Sequence, residues 1–311
     1  MNGWYDANLI LVQNTFIGLV LALSIQFPMR MGVFSFTGAG SYGLGAYLAA
    51  ILVIDHRFPA LAAIAAAMAV SLVVSVLLGL LVQQLDGLYL GMATIAFCLI
   101  VSVAATAGGD LTGGPTGRFG AISDFTSGHI YVIAVAALLL VALTEFGRVG
   151  RRIEAVREDP ELAAAVGINV RAYRLAAFAA SGLLGGCAGA MNLLARTTIT
   201  PVDIGFSLVI LALTMIIVGG IRSWKGALIG AVVFTWLPEL LAVVGKWEHV
   251  VYGALVAAAA IWMPGGLYGV WSDAKYRYRV GRRKAPSGAD RSGPRTGAPE
   301  LRTVGEGVAE P

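Results

Sequence analysis

Apolar residues run along this chain in long, nearly unbroken blocks separated by short polar turns. Nine blocks stand out: Leu9–Phe27, Val33–Ile54, Phe58–Val82, Leu88–Ala107, Ile130–Thr144, Leu175–Leu194, Gly205–Val218, Ala227–Val244 and Val250–Met263. Most approach the roughly 20 residues that a helix needs to cross hydrocarbon, where a helix satisfies its own backbone hydrogen bonds. A membrane β-barrel would alternate polar and apolar residues over short strands, and that alternation is missing. The expected fold is all-α, a polytopic helical membrane protein with about 8–10 transmembrane helices. The fifth and ninth blocks are short for a full crossing. Pro238 and Glu239 interrupt the eighth, which predicts a kink there.

Composition agrees. Of the 311 residues 58% are hydrophobic and only 13% charged, against about a quarter charged in ordinary soluble chains. The basic pI of 9.2 does not point to nucleic acid, because the positive charge flanks apolar blocks instead of forming its own patch. Its distribution orients the chain. Let the connection 145–174 face the cytoplasm, with Arg148, Arg151, Arg152, Arg157, Arg171 and Arg174. Arg30, Arg222, Lys225 and the nine basic residues between Lys275 and Arg302 then share that side, 18 of the 22 in the chain. Arg57, Arg118, Arg196 and Lys246 fall outside, and this asymmetry is what the positive-inside rule requires. The same count puts the N-terminus outside and the C-terminal tail inside. With Asp6 as the only charge before the first block, a cleaved signal peptide is not expected. Residues 1–271 form the expected membrane domain. Residues 272–311, rich in Gly, Pro, Arg and Ser, form a basic tail expected to be disordered, with contact to membrane lipid as a secondary reading.

Two blocks carry small residues at helical spacing: Gly38, Gly40, Gly43 and Gly45 in the second, Gly182, Gly185, Gly186 and Gly189 in the sixth. Such faces let helix backbones approach closely, which favours tight packing inside the subunit over a gate. Cys98 and Cys187 both lie in apolar blocks and read as packing residues, so no metal site is expected. Glu239 is the clearest ionisable residue at membrane depth. Carriers driven by protons or sodium ions place more charge in their spans than this.

The central connection reads as structure. Asp159 is placed to cap a short helix with Pro160 at its first position and Glu161 in its first turn, while Gly167 ends it in the left-handed conformation. Asn169 then caps the helix entering the sixth block. A helix of two turns is marginal in water by itself, so a partner surface is expected to hold it.

These residues resemble a known family, the permeases of branched-chain amino-acid ABC importers, of the M type. The likeness falls on Arg151, Arg157, Glu158, Glu161, Ala163, Ala164, Gly167, Ile168, Asn169, Tyr173 and Phe178. That stretch is similar to the family's version of the EAA loop. Thr112-Gly113-Gly114-Pro115-Thr116-Gly117 resembles its Thr-Gly-Gly-x-x-Gly loop between two spans. Ile199-Thr200-Pro201 through Phe206-Ser207, then Val218-Gly219-Gly220 and Gly226, resembles its later helical hairpin. Ile261 to Leu267 resembles its last span's ending, although Gly265 stands where an arginine is common. The likeness extends to about Trp271.

The resemblance implies the larger importer-permease fold in a prokaryotic inner membrane, paired with an H-type sister permease. It also implies two ATPase subunits and a soluble substrate-binding protein. ATP and magnesium would sit on the partner chains, since Gly245-Lys246 lacks the upstream glycine of a phosphate loop. No cofactor is expected in this chain. Arg157, Glu158, Glu161, Ala163, Ala164, Gly167 and Ile168 would form the coupling helix seated on an ATPase. Leucine, isoleucine and valine are the leading cargoes, with urea, short amides, other amino acids and sugars as alternatives. A path for such a small amino acid would use small and weakly polar groups, for which Ser41, Tyr42, Thr94, Thr112, Gly113, Gly114, Thr116, Thr198 and Thr200 are candidates. A stand-alone secondary carrier or channel is the competing class. An intramembrane enzyme has no paired carboxylates, histidine cluster or nucleophile motif to support it.

Overall fold

A computed structural model describes residues 8–241, 253 and 266–269. The chain forms helices α1 (Leu9–Arg30), α2 (Thr37–Ile54), α3 (Ala60–Val82), α4 (Gly87–Ala107) and α5 (Ser127–Leu143). After these come α6 (Gly147–Glu158), α7 (Pro160–Ala165), α8 (Val170–Arg196), α9 (Phe206–Gly219) and α10 (Trp224–Leu241). Eight of the nine apolar blocks thus lie in helices. The ninth, Val250–Met263, and the basic tail lie outside the described residues, as does the end of the eighth.

Among the described residues five helices, α1 to α4 and α8, are long and apolar enough to cross a membrane, and the bent pairs α5–α6 and α9–α10 raise the number to at most seven. With 14 residues α9 extends about 21 Å, short of the roughly 30 Å of hydrocarbon. It meets α10 at a bend of 119°. Pro238, where a kink is expected, lies inside α10, which continues to Leu241.

The centre of the bundle is a seam of α2, α3 and α8. The two glycine-rich faces meet each other there: a side chain on Gly185 would strike the carbonyl of Gly38, and one on Gly189 that of Tyr42. Serines of α3 close the third side, with Ser41 Oγ 2.7 Å from Ser75 Oγ and Ser71 Oγ donating to the Ser41 carbonyl at 3.3 Å. Close backbone approach of this kind replaces the hydrophobic drive that helices lack among themselves in lipid.

The span ends sort into two groups. At one, the clip end, Arg118–Phe119 (β1) pairs antiparallel with Thr198–Ile199 (β2). The Arg118 guanidinium donates to Asp55 Oδ2 and to the Leu111 carbonyl, at 2.8 and 2.7 Å. At the other, the loop end, Arg30 meets Thr144 and Glu145, and Arg174 pairs with Asp86 at 2.7 Å. Gly32 packs on the backbone of Arg157. The residues grouped by charge counting therefore gather as counted: Arg30 with the 145–174 connection at one end, Arg118 and Arg196 toward the other.

Candidate functional site: loop and cavity

The loop end carries α6 and α7. Gly150, Ile153 and Val156 recur every third residue and are buried, so α6 lies down on the bundle and leaves Arg148, Arg151, Arg152, Glu154 and Glu158 outward. Asp159 caps α7, its Oδ1 accepting from the backbone N–H groups of Glu161 and Leu162 at 3.0 and 2.9 Å. Gly167, at φ 86°, ends the helix. Its N–H reaches the Ala164 carbonyl and that of Ile168 reaches Ala163, each at 3.0 Å. These are the two bonds of a Schellman motif. Asn169 caps α8 by accepting from Ala172 N–H at 3.1 Å. Of the proposed coupling residues only Ala163 is buried. Glu158, Glu161, Ala164 and Gly167 are exposed, while Arg157 and Ile168 are half-buried. Sequence reasoning passed over Leu162 and Val166, which stand 63% and 69% exposed on this helix. The signal was available, since both are large apolar residues in a polar loop.

The second feature is a cavity of about 230 Å³ among α1, α2, α8, α9 and α10, walled by Asn14, Tyr42, Asn192, Arg196, Met215 and Thr235 among others. The Arg196 guanidinium reaches Asn14 Oδ1 at 3.4 Å. The segment from Thr197 to Gly205 leaves α-helical form beside it, with a 3-10 turn at Pro201–Ile204. Ile204 there contacts Gly43, near the middle of α2, and accepts from Cys98 Sγ, near the middle of α4, at 3.5 Å. Irregular backbone at that depth is tolerated in membrane proteins where protein buries it or where it borders a cavity, and broken helices commonly mark a transport site. A larger cavity of about 770 Å³ lies at the clip end against Arg57, Phe58, Asp124 and His129. It sits at the span ends, so the smaller one is the candidate path.

Of the nine path candidates from sequence, Tyr42 alone is among the residues lining the smaller cavity. Ser41 is in the seam. Thr94 Oγ1 accepts from Phe36 N–H at 3.0 Å and donates back to its own helix. Thr112, Gly113, Gly114 and Thr116 fold the clip-end loop, with Thr116 Oγ1 donating to the Gly113 carbonyl at 2.8 Å. Thr198 lies in β2, and Thr200 donates through Oγ1 and N–H to Asp203 at 2.7 and 3.0 Å. Asn14, Asn192 and Thr235 were missed, although polar groups inside apolar blocks are a readable signal. Glu239 is exposed near the end of α10. Among the described residues no group of His, Cys, Asp and Glu is placed to hold a metal ion.

Broken helices beside a cavity, and a short capped helix at one end of the apolar spans, are the features of a membrane transport subunit. A family model for the permease component of the branched-chain amino acid transport system matches residues 8–260, and the chain belongs to that family. The high-affinity branched-chain amino acid transport system permease protein LivM of Escherichia coli (strain K12) is 27% identical over 292 residues, covering 81% of this chain and 68% of that one. LivM of Salmonella typhimurium (strain LT2) is 26% identical over 288 residues, with the same coverage. No solved structure matches the chain. The protein is thus a multi-pass inner-membrane transport subunit of an ABC importer.

Proposed function

We propose that this chain is the M-type permease of an importer that carries leucine, isoleucine, valine or a similar small amino acid. It works with an H-type sister permease, two ATPase subunits that hold ATP and magnesium, and a soluble binding protein. The observation that carries the reading is α7, a doubly capped helix whose apolar Leu162 and Val166 are left bare at the end of the bundle. A helix this short keeps its shape through its caps and its anchorage, and bare apolar groups among Glu158, Asp159 and Glu161 suit a groove on another protein. ATP-driven closure of the ATPases moves α7, and the motion alternates access to the cavity. The cargo passes Asn14, Tyr42, Asn192 and Thr235, with Arg196 facing its carboxylate. Specificity resides mainly in the binding protein, because among the described residues the cavity offers one cation, Arg196, and neutral polar groups instead of a tight cage. The loop end and the tail face the cytoplasm.

The test is reconstitution of the full complex in proteoliposomes with ATP inside and labelled leucine and binding protein outside. ATP-dependent accumulation is expected. Uptake that proceeds without the ATPase subunits would establish the stand-alone carrier instead. In intact cells, Ala164→Cys in a background lacking Cys98 and Cys187 should resist an impermeant thiol reagent, and fast labelling would reverse the orientation.

A further inference from the structure

One carboxylate ties together the two places where the spans bend. Glu145 sits in the connection between α5 and α6, which meet at 73°. Its Oε1 accepts from the backbone N–H of Trp224 at 2.7 Å and its Oε2 from Ser223 Oγ at 3.1 Å, both at the start of α10. It thereby caps the broken end between α9 and α10. Arg30, from the end of α1, holds the same group: it lies 3.8 Å from Glu145 Oε1 and donates to Thr144 Oγ1 and the Thr144 carbonyl at 3.0 and 3.1 Å. The pair is enclosed, at 7% and 18% side-chain exposure, so the contact is not a solvated one. Gly150, in α6, packs against the Glu145 carbonyl so closely that no side chain fits between. From the other side, Gln26 Nε2 donates to the Ile221 carbonyl at 3.1 Å.

We infer that Glu145 is the strut through which the loop end moves the cavity wall, a positioning residue that makes the α5–α6 and α9–α10 bends shift as one body. The inference rests on the importer reading above. α6 continues directly into α7, where an ATPase would push. α9 and α10 supply Met215 and Thr235 to the cavity. Between them, Glu145 offers a charge-assisted contact in a dry place, where such bonds are strong and directional. An apolar contact there would let the two bends slide past each other.

The experiment compares wild type, Glu145→Gln and Glu145→Ala in the reconstituted full complex, reading leucine uptake per ATP hydrolysed. Glutamine still accepts from Trp224 N–H but loses the charge facing Arg30, whereas alanine loses every bond. The expected result is an ATPase rate within about twofold of wild type for both, with uptake per ATP down roughly tenfold for alanine and less for glutamine, in the range seen for residues that carry coupling. A second pair of variants separates coupling from folding. Glu145→Cys with Ser223→Cys, without Cys98 and Cys187, is joined by a short bifunctional thiol reagent. Joining should restore uptake per ATP, because a strut may be covalent. If joining arrests uptake, the contact has to open in each cycle and the strut is overturned. If the alanine variant keeps its uptake per ATP, or merely loses both activities in step with assembled complex, the inference falls alone. If wild type shows no ATP-driven uptake, the importer reading falls and takes the inference with it.

Discussion

The two ends of the bundle are finished differently. At the clip end the loops close on their own chain: Gly117 packs under the Ile199 carbonyl, β1 pairs with β2, and Arg118 fastens Asp55 and the Leu111 carbonyl together. At the loop end the chain closes α6 onto the spans through Ile153 and Val156, then stops. Leu162 and Val166 remain uncovered on a helix whose termini are fully capped. Both ends leave apolar groups bare, Leu111, Phe119, Ile122 and Val202 at the clip end among them. The difference lies in how they are held: the clip loops are tied to each other by strand pairing and Arg118, whereas Leu162 and Val166 stand on one short helix fixed by its own caps.

The largest expected effect breaks the clip end. Gly117→Val adds a branched side chain where φ is 77° and where the Ile199 carbonyl occupies the space. Strain and collision together should cost roughly 3 kcal/mol or more. Membrane-inserted protein should fall sharply and its thermal transition drop, as read by fluorescence-detected chromatography after heating. An unchanged transition would show that the clip is decoration. Next comes the loop end. Leu162→Asp with Val166→Asp alters exposed positions, so stability should move by no more than about 0.5 kcal/mol each. ATPase co-purifying with the permease should nonetheless fall roughly tenfold or more, as expected for central apolar contacts of an interface. Normal co-purification would remove the argument from α7.

Much of this was legible in the sequence, and for definite reasons. Asp159, Pro160, Gly167 and Asn169 specify their helix ends through local chemistry, and each does so in the structure. The facing glycine patterns of α2 and α8 were readable because helical spacing alone puts the small residues on one stripe. Where the spans bend was less legible. Hydropathy measures length and apolarity, while the 119° turn after Gly219 depends on where α9 meets α10. The cavity was least legible. Arg196 reads as a charge beyond a span, and only the folding of Thr197–Gly205 back among the helices shows it beside Asn14 and Asn192. Small polar residues such as Ser41 and Thr94 looked like path groups because composition does not separate a hydroxyl that lines space from one bonded to a neighbouring helix.

A milder change sharpens the contrast at the loop end. Gly167 has φ 86° and open space around its α-carbon, so Gly167→Ala meets no neighbour and costs only the left-handed backbone, about 1 kcal/mol. If the rigidity of α7 matters, uptake by the complex should fall a few-fold while ATPase co-purification holds. Gly167→Pro should cost more, since proline also removes the N–H that bonds the Ala164 carbonyl. Equal uptake in all three proteins would make α7 a tether. Glu161→Lys adds a separate probe, reversing a charge in the first turn without touching the cap.

The smallest effect belongs to the exposed ion pair of the clip. The Arg118 guanidinium, first of all by hydrogen bonding, holds the Asp55 carboxyl below the usual carboxylate range; desolvation opposes this, and the charge of Arg118 adds a smaller lowering. A carboxylate whose folded pKa is depressed adds stability above its unfolded pKa, near 3.9, and loses it as pH falls through the lower folded value. Asp55→Asn should therefore lower the melting temperature slightly and by a constant amount from neutral pH down to about pH 4, and the gap to wild type should close below that. Salt should shrink the gap as well, because the Asp55 side chain is 36% exposed and ions reach it. The Arg118 bond to the Leu111 carbonyl survives the substitution, which is a further reason for a small effect. Glu145→Gln at the opposite end should respond far less to salt, since its pair with Arg30 is enclosed. If both variants proved equally salt-sensitive, the contrast between a clip with an exposed carboxylate and a strut whose carboxylate is more enclosed would fail.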